Sequence, residues 1–468
     1  MEGENFAESK ILIGFCFCFL AGVWLATADL VVAGVNFLLP GLFVSLAIVS
    51  PFFLPARIQK IFLASVIFSS AIFWTATWLG DNIGQLPTGE FQGSVRLIDE
   101  PVSDLHQQKV RVESADGLRL ILYLPLFPQY HYGDQLLIHC QIQPADPGYL
   151  WSQRVFFQCR WPQVVEVGRQ QRVSFLFSRL YQLRFWLLNR IQQLWPEPDA
   201  SLLSGLLVGY TGGLGEEEKY FQQTGTAHIL AVSGYNVTLV VNAVLLALRR
   251  IPLPQIRKTI GMLVVLGFIL LTGASASVVR AGLMATANLF FAGDNRAYVF
   301  LFSVAVLMVG YCPFSLRYDL GFQLSFLATF GLLFLTNFWE RWCRFLPNYF
   351  QLRTNLSATM SAWLFTLPLT LKSFSQLTVI APVANLALLW AIPLAMVSGL
   401  AAVLSSVLSF SLAKLLAVFP YALLRYLVSA ATLFSFLGEK VNKEVFLSGY
   451  LAGGFYLFFF FYWWKKYA

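Results

Sequence analysis

Polar and charged residues are sparse in this chain, so the few set inside apolar runs mark where chemistry could occur. The first group lies in QTGTAHILAVSGYNVTLVVN, residues 223–242: His228, Ser233, Gly234, Asn236 and Asn242. At membrane depth such groups are costly unless they face protein or water. A Ser–Gly pair invites a helix break, and broken helices are tolerated where they line a cavity. The competing reading is that Ser and Asn join neighbouring helices by hydrogen bonds. The second group is LTGASASVVRAGLMATAN, residues 271–288, with Arg280 in its middle. A charge there must pair or meet water. Gly273, Ser277, Ala281 and Ala285 recur every fourth residue, a stripe suited to close helix contact. Asp294 and Asp319 fall in loops near the ends of this block. A hydrated path is therefore expected around Arg280; a structural ion pair is the other reading. The third group is YCPFSLRYDLGFQLSFLATFGLLFL, residues 311–335. There Pro313 and Asp319 mark a turn, and Gln323 is either a helix cap or a donor facing a pore.

Other chemistries are disfavoured. The six cysteines show no CxxC spacing and the four histidines (His106, His131, His139, His228) do not cluster. No zinc signature results, and no metal or cofactor is expected. No carboxylate or nucleophile lies near His228 in sequence, so an enzyme using it as acid–base is disfavoured. Cys16 and Cys18 sit in an apolar run and are read as packing residues.

The elements that must position these groups belong to a membrane protein. Of 468 residues, 57% are hydrophobic and 12% charged, against about 25% charged in soluble domains. Mean hydropathy is +0.65. The net charge of +8 is read as cytoplasmic loops rich in Lys and Arg. Residues 1–80 carry three apolar segments, near 11–28, 30–50 and 61–79, the first retained as a helix rather than cleaved as a leader. Arg57 and Lys60 place their loop, and the N-terminus, inside. From 85 to 170 the pattern changes to short alternating runs (FQGSVRLI, QKVRVES, LRLILYLP, DQLLIHCQIQ, VVEV) with turns at Asp116–Gly117, Gly133–Asp134 and Asp146–Gly148. Five strands in this length suit a small barrel of the oligonucleotide/oligosaccharide-binding (OB) type. Cys140 and Cys159 both lie in it, on the expected oxidising side, and a disulfide is plausible there. Residues 171–198 read as a basic amphipathic helix at the membrane interface, with Leu176, Leu180, Leu183, Leu187, Ile191 and Leu194 on one face. Packing on the barrel is the alternative. Residues 199–468 form the main membrane block. Its basic loops at 249–258 and 341–353, and Lys465–Lys466, should be cytoplasmic. The stretch 378–410 is too long for one straight helix and is broken by Pro382 and Pro393. The expectation is a polytopic α-helical membrane protein with an inserted small OB-like β-barrel domain outside the cell membrane.

Three segments together carry a resemblance. HILAVSGYNV, VRAGLMA and DLGFQLSFLATFGLL resemble the competence domain of the ComEC family of DNA-uptake proteins. LLSGLLVGYTGGLGEEEKYFQQTGTAH is similar to the family's Gly-rich approach and Thr-Gly-x-x-His entry, and DPGYLWSQRVFFQC to the end of its barrel domain. The likeness runs from about residue 20 to about 450. It departs at Tyr235–Asn236, where members often have Leu–His, which weakens a proton or metal role for the site. It also departs at Ala468, where many members continue into a His-rich metallo-β-lactamase-like domain. The resemblance implies a cell-membrane channel passing single-stranded DNA inward during natural transformation, with His228, Ser233, Gly234, Asn236, Asn242, Arg280 and Gln323 along the path. It further implies membrane lipids as surroundings, and a separate nuclease, a DNA receptor and a cytoplasmic DNA-translocating ATPase as partners. A permease or flippase for a small or lipidic substrate is the rival reading. The barrel offers Tyr123, Tyr130, Tyr132, Trp151 and Trp161 for base stacking, yet its acidic residues outnumber its basic ones, which argues for a spacer or docking role.

Overall fold

The computed structural model describes residues 89–99, 101–103, 107–128, 130, 132–145, 148–169, 175–210, 214–230, 234–250, 253–272, 276–291, 304–306, 308–345 and 352–444, with scattered positions near 19–23, 67–75 and 451–458. The three N-terminal segments, Ser233, Gly273 and Asp294 fall largely or wholly outside the described residues. Two compact units result: Met1–Phe177 with Leu283–Gln323, and Ser178–Gly282 with Leu324–Ala468.

In the first unit seven strands follow in order: β1 Gly89–Leu97, β2 Val102–Ser103, β3 Gln108–Ser114, β4 Arg119–Leu124, β5 Asp134–Pro144, β6 Phe157–Arg160 and β7 Gln163–Arg169. They pair as β1-β3-β4-β6-β5, and β1 pairs with β5 to close the ring; β2 extends β3 and β7 extends β5. Only β4–β6 is parallel among these barrel pairings. Five strands in that order make the OB-type barrel, with β3 and β4 as its second and third strands. Alternation drives it. Along β3, Gln108, Val110, Val112 and Ser114 point in while Lys109, Arg111 and Glu113 stay half-exposed. Val95, Leu97, Val110, Val112, Leu120, Leu122, Leu124, Leu136 and Ile138 fill the interior at 0–1% exposure, each contributing roughly 1.5–3 kcal/mol. The Asp116–Gly117 turn works because Gly117 adopts φ +81°, which costs glycine little. Cys140 on β5 and Cys159 on β6 are joined by a disulfide with their Cα atoms 6.3 Å apart. Tyr130 is buried, and burial pushes its phenol above the usual range.

The same unit includes the turn at 312–319, which packs onto the barrel. The Trp151 ring meets Phe314 edge-on at 4.9 Å between centroids and Phe156 at 5.8 Å. Its indole N–H is held by the Ala145 carbonyl at 2.9 Å. Ser315 Oγ donates to Ser152 O, and the Arg154 guanidinium lies over the Tyr311 ring. Part of the third sequence motif is thus a docking surface for the barrel.

The second unit is helical: α1 Phe175–Leu194 (from Ser178 on), α2 Asp199–Val208, α3 Glu217–Gln223, α4 Gly234–Ala247, α5 Pro254–Leu271, α6 Ala276–Phe291 (up to Gly282), α7 Leu320–Trp342 (from Leu324), α8 Leu352–Phe374, α9 Ala381–Leu389, α10 Ala391–Ser405 and α11 Phe410–Val441. Among the described residues three stretches are long and apolar enough to cross a membrane: Leu320–Trp342, Ala381–Ser405 and Phe410–Val441. The stretch 378–410 resolves into α9 and α10, parted at Trp390. Pro382 and Pro393 sit in the first turn of each, where a missing N–H forfeits no helical bond. In α1 the stripe expected at the membrane surface is divided. Leu183 is exposed, whereas Leu187, Ile191 and Trp195 are buried in a core shared with α2, α10 and α11. The Trp195 indole donates to Ala417 O at 3.1 Å. The C-terminal half of this helix is therefore held by protein.

Candidate functional site

The approach to His228 is a tight polar turn. Thr224 and Thr226 are fully buried, their hydroxyls 2.6 Å apart. Thr224 Oγ1 donates back to Tyr220 O at 2.9 Å, and the Thr226 N–H to Phe221 O at 2.8 Å. These bonds terminate α3 and satisfy carbonyls that its last turn leaves over. Between the threonines Gly225 adopts φ +69°, and a Cβ there would stand 2.9 Å from the Ala381 Cβ. Only glycine fits. Asn442, just after α11, donates to Gln223 O at 3.0 Å and accepts from the Val379 N–H at 3.1 Å. Ser435 hydrogen-bonds the Gln223 side chain. A short antiparallel pair, β8 Gln376–Leu377 with β9 Lys443–Glu444, fixes the same corner. The start of α9 and the end of α11 thus hold the Thr-Gly-Thr turn between them.

His228 follows in a single 3₁₀ turn, Ala227–Ile229, with its side chain exposed. Helix α4 begins at Gly234. Asn236 is 2% exposed, and its amide donates to Leu206 O at 3.3 Å. Leu206 is in the last turn of α2, which ends in a left-handed Gly209 (φ +74°). Its carbonyl lacks a partner within the helix, and Asn236 supplies one. The structure places Asn236 as a joint between α4 and α2. The side chain of Asn242 lies outside the described residues.

Arg280 on α6 is 1% exposed, the largest of the fully buried side chains among the described residues. Ala281 and Ala285 beside it are buried, as the small-residue stripe requires. A close approach of α6 to α5 is made at Gly282, which that stripe omits: a Cβ there would overlap the Ile269 Cδ1 of α5. Gln323 is in the other unit. Its amide donates to Leu316 O at 2.7 Å and Arg317 O at 2.9 Å, capping the one-turn helix Ser315–Tyr318. Asp319 Oδ1 accepts from the Phe322 N–H at 2.8 Å and starts α7. Of the two readings for Gln323, this geometry is that of a cap.

Sequence reasoning missed several residues. Asp199 is fully buried at the start of α2 and pairs with Arg425 Nε of α11 at 2.9 Å. The signal was present, a carboxylate opening an apolar run, but its partner lies 226 positions away. Gly331 lets α7 meet α8: a Cβ there would collide with Ser361 O and stand 2.9 Å from the Phe365 Cβ. Thr224, Thr226 and Asn442 were legible only as ordinary polar residues near helix ends. No group of three or more metal-ligating side chains occurs among the described residues.

A family model described as competence protein matches residues 206–467, more than half of the chain. That span holds the Thr-Gly-Thr turn, Asn236, Arg280 and all three membrane-length stretches. ComE operon protein 3 of Bacillus subtilis (strain 168) is 25% identical over 250 residues, which cover 51% of this chain and 30% of that protein. No solved structure matches. The Bacillus subtilis match spans less than a third of that relative's length. This chain belongs to the ComEC family of competence proteins.

Proposed function

We propose that this protein is a channel of the cell membrane that passes single-stranded DNA inward during transformation, and that it does so without catalysing a reaction. The observation that supports this most is Arg280, a cation buried in the family-matched membrane block. A buried guanidinium is costly to maintain for packing alone, and its fork suits phosphates arriving one at a time. The barrel stands outside the membrane and receives the strand. A separate nuclease, a DNA receptor and a cytoplasmic DNA-translocating ATPase complete the system. The test is transformation frequency in cells lacking only this gene, with and without a wild-type copy supplied in trans. Loss on deletion and recovery on complementation is expected; unchanged transformation in the deletion strain refutes the proposal. A permease for small or lipidic substrates would leave transformation intact.

A further inference from the structure

In the second unit, α7 and α8 touch at Gly331, where a Cβ would stand 2.3 Å from Ser361 O and 2.9 Å from the Phe365 Cβ. Ser361 and Phe365 therefore mark the face of α8 turned toward α7. Arg353, Ser357 and Ser361 are spaced by four and share that face. Eight residues beyond Gly331 along α7 stands Trp339, and eight residues before Ser361 along α8 stands Arg353. Each is about 12 Å from the contact along its helix. The connection 343–351 is short, so the helices run antiparallel and both steps lead to the same end of the hairpin. The 3₁₀ turn Cys343–Phe345 packs against α8, which keeps the two helices together there.

Three donors at this end meet no acceptor. Ser357 and Ser361 are both fully buried. Ser361 Oγ donates back along its helix to Ser357 O at 2.7 Å, and Thr366 does the same to Ala362 O at 2.9 Å. Ser357 Oγ makes no such bond and has no partner among the described residues. The Arg353 Nε–H and the Trp339 indole N–H are enclosed and equally without one. Buried donors are nearly always satisfied, and an exception calls for a reason, a bound ion among them. Indole and guanidinium can only donate, so a partner common to all three is an acceptor. The fixed charge of Arg353 makes that acceptor an anion. No acidic side chain stands in the first turn of α8, and Glu340, beside Trp339 in sequence, does not take the Arg353 Nε–H.

The surroundings say which anion. Helix α7 is long and apolar enough to cross a membrane, and it ends here. Arg341 and Arg344 are exposed at that end, as basic residues are at a cytoplasmic membrane surface. On the outer side of α7, Phe338 is 49% and Trp342 69% exposed, their ring centroids 6.1 Å apart. Polar donors thus stand at the headgroup level and bare rings at the level of the acyl chains. We propose that this end of the α7–α8 hairpin binds the phosphate of an anionic phospholipid through Trp339 Nε1, Arg353 Nε and Ser357 Oγ. Arg341 and Arg344 favour an anionic over a zwitterionic headgroup, and the acyl chains lie along Phe338 and Trp342. The proposal goes beyond the DNA-uptake reading and rests only on its membrane part.

The experiment titrates phosphatidylglycerol into the full chain in a nonionic detergent, following bound lipid by native mass spectrometry and stability by the thermal midpoint. The wild type should bind the lipid and gain stability as its concentration rises, and phosphatidylcholine should bind far more weakly. Ser357→Ala removes a donor that nothing in the chain accepts, so without lipid its midpoint should equal or exceed that of the wild type. Its affinity for phosphatidylglycerol should fall about tenfold or more, as should that of Arg353→Gln, each losing a hydrogen bond to a charged group. Wild-type affinity in both variants, or equal binding of phosphatidylcholine, would overturn the site. So would a lowered lipid-free midpoint in Ser357→Ala, which marks a structural hydroxyl. Inorganic phosphate that stabilises as well as the lipid would make this a soluble-anion site, and displacement of the lipid by an oligothymidylate a nucleic-acid site; either overturns the proposal. Should Arg353→Gln fail to fold, Ser357→Ala decides. The DNA-uptake reading is judged separately, by transformation of the deletion strain, and neither result decides the other.

Discussion

Replacing Gly225 by alanine probes the corner that positions His228. Two independent terms oppose the substitution. The left-handed backbone at φ +69° costs an L-residue about 1–2 kcal/mol. The added Cβ stands 2.9 Å from the Ala381 Cβ and 3.3 Å from Thr378 Cγ2, and overpacking of this kind costs about 1–3 kcal/mol. Together they amount to about 2–5 kcal/mol, a large part of the stability of an ordinary domain. Ala381→Gly in the same chain removes the contact but not the backbone cost. A double-mutant cycle should therefore return a coupling of about 1–3 kcal/mol. The assay is thermal unfolding of the detergent-solubilised protein, with membrane abundance and transformation followed for each variant. Gly225→Ala should lower both stability and transformation, and the double variant should recover part of each. A Gly225→Ala protein as stable as the wild type, or no rescue by Ala381→Gly, would refute the argument that this corner is sterically fixed.

Other outcomes follow from the same geometry. Asn236→Leu leaves the Leu206 carbonyl buried without its donor and should cost about 1–3 kcal/mol; Asn236→His, which retains a donor, should keep most of the stability, and equal unfolding midpoints for the two would argue against the joint. Gly331→Ala must push α7 away from Ser361 and should destabilise by about 1–3 kcal/mol or more, measured as loss of folded protein in the membrane fraction. In the native protein Cys140 and Cys159 should resist alkylation until reduced. Replacing both with serine opens a 19-residue separation and should lower barrel stability by about 3 kcal/mol; two freely alkylated thiols would remove the bridge.

The barrel was legible because its strands alternate and its turns carry Gly117 and Gly133, signals that act over a few residues. Its closure through β1–β5 and the parallel β4–β6 pair depend on contacts far apart in sequence, and no local pattern specifies them. The candidate site was legible in its residue types but not in their roles. Asn236 and Gln323 look alike as amides in apolar runs. Each turns out to address carbonyls at a helix end, Leu206 for one and Leu316 with Arg317 for the other. A cap is defined by the carbonyl it meets, and for Asn236 that carbonyl is 30 residues away. The Trp151 docking contact was hidden for the same reason: Phe314 reads as one more apolar residue until the barrel is placed against it. Asp199 and Arg425 pair across 226 positions of sequence. The barrel's charge balance is a sum over residues and does not say which acids are paired, as Asp99 is with Arg111.

The central claim is that a strand of DNA passes through the membrane block alongside Arg280. The direct measurement follows end-labelled donor DNA in cells lacking the gene and supplied with wild-type, Arg280→Ala or Arg280→Lys protein. Label recovered as single strands in the cytoplasm is scored against protein abundance in the membrane fraction. Wild-type protein should restore entry, Arg280→Ala should be inserted at normal abundance yet admit little label, and Arg280→Lys should admit part of it. Normal entry with Arg280→Ala would put Arg280 off the path. Normal entry in cells with no copy of the gene would contradict the account as a whole.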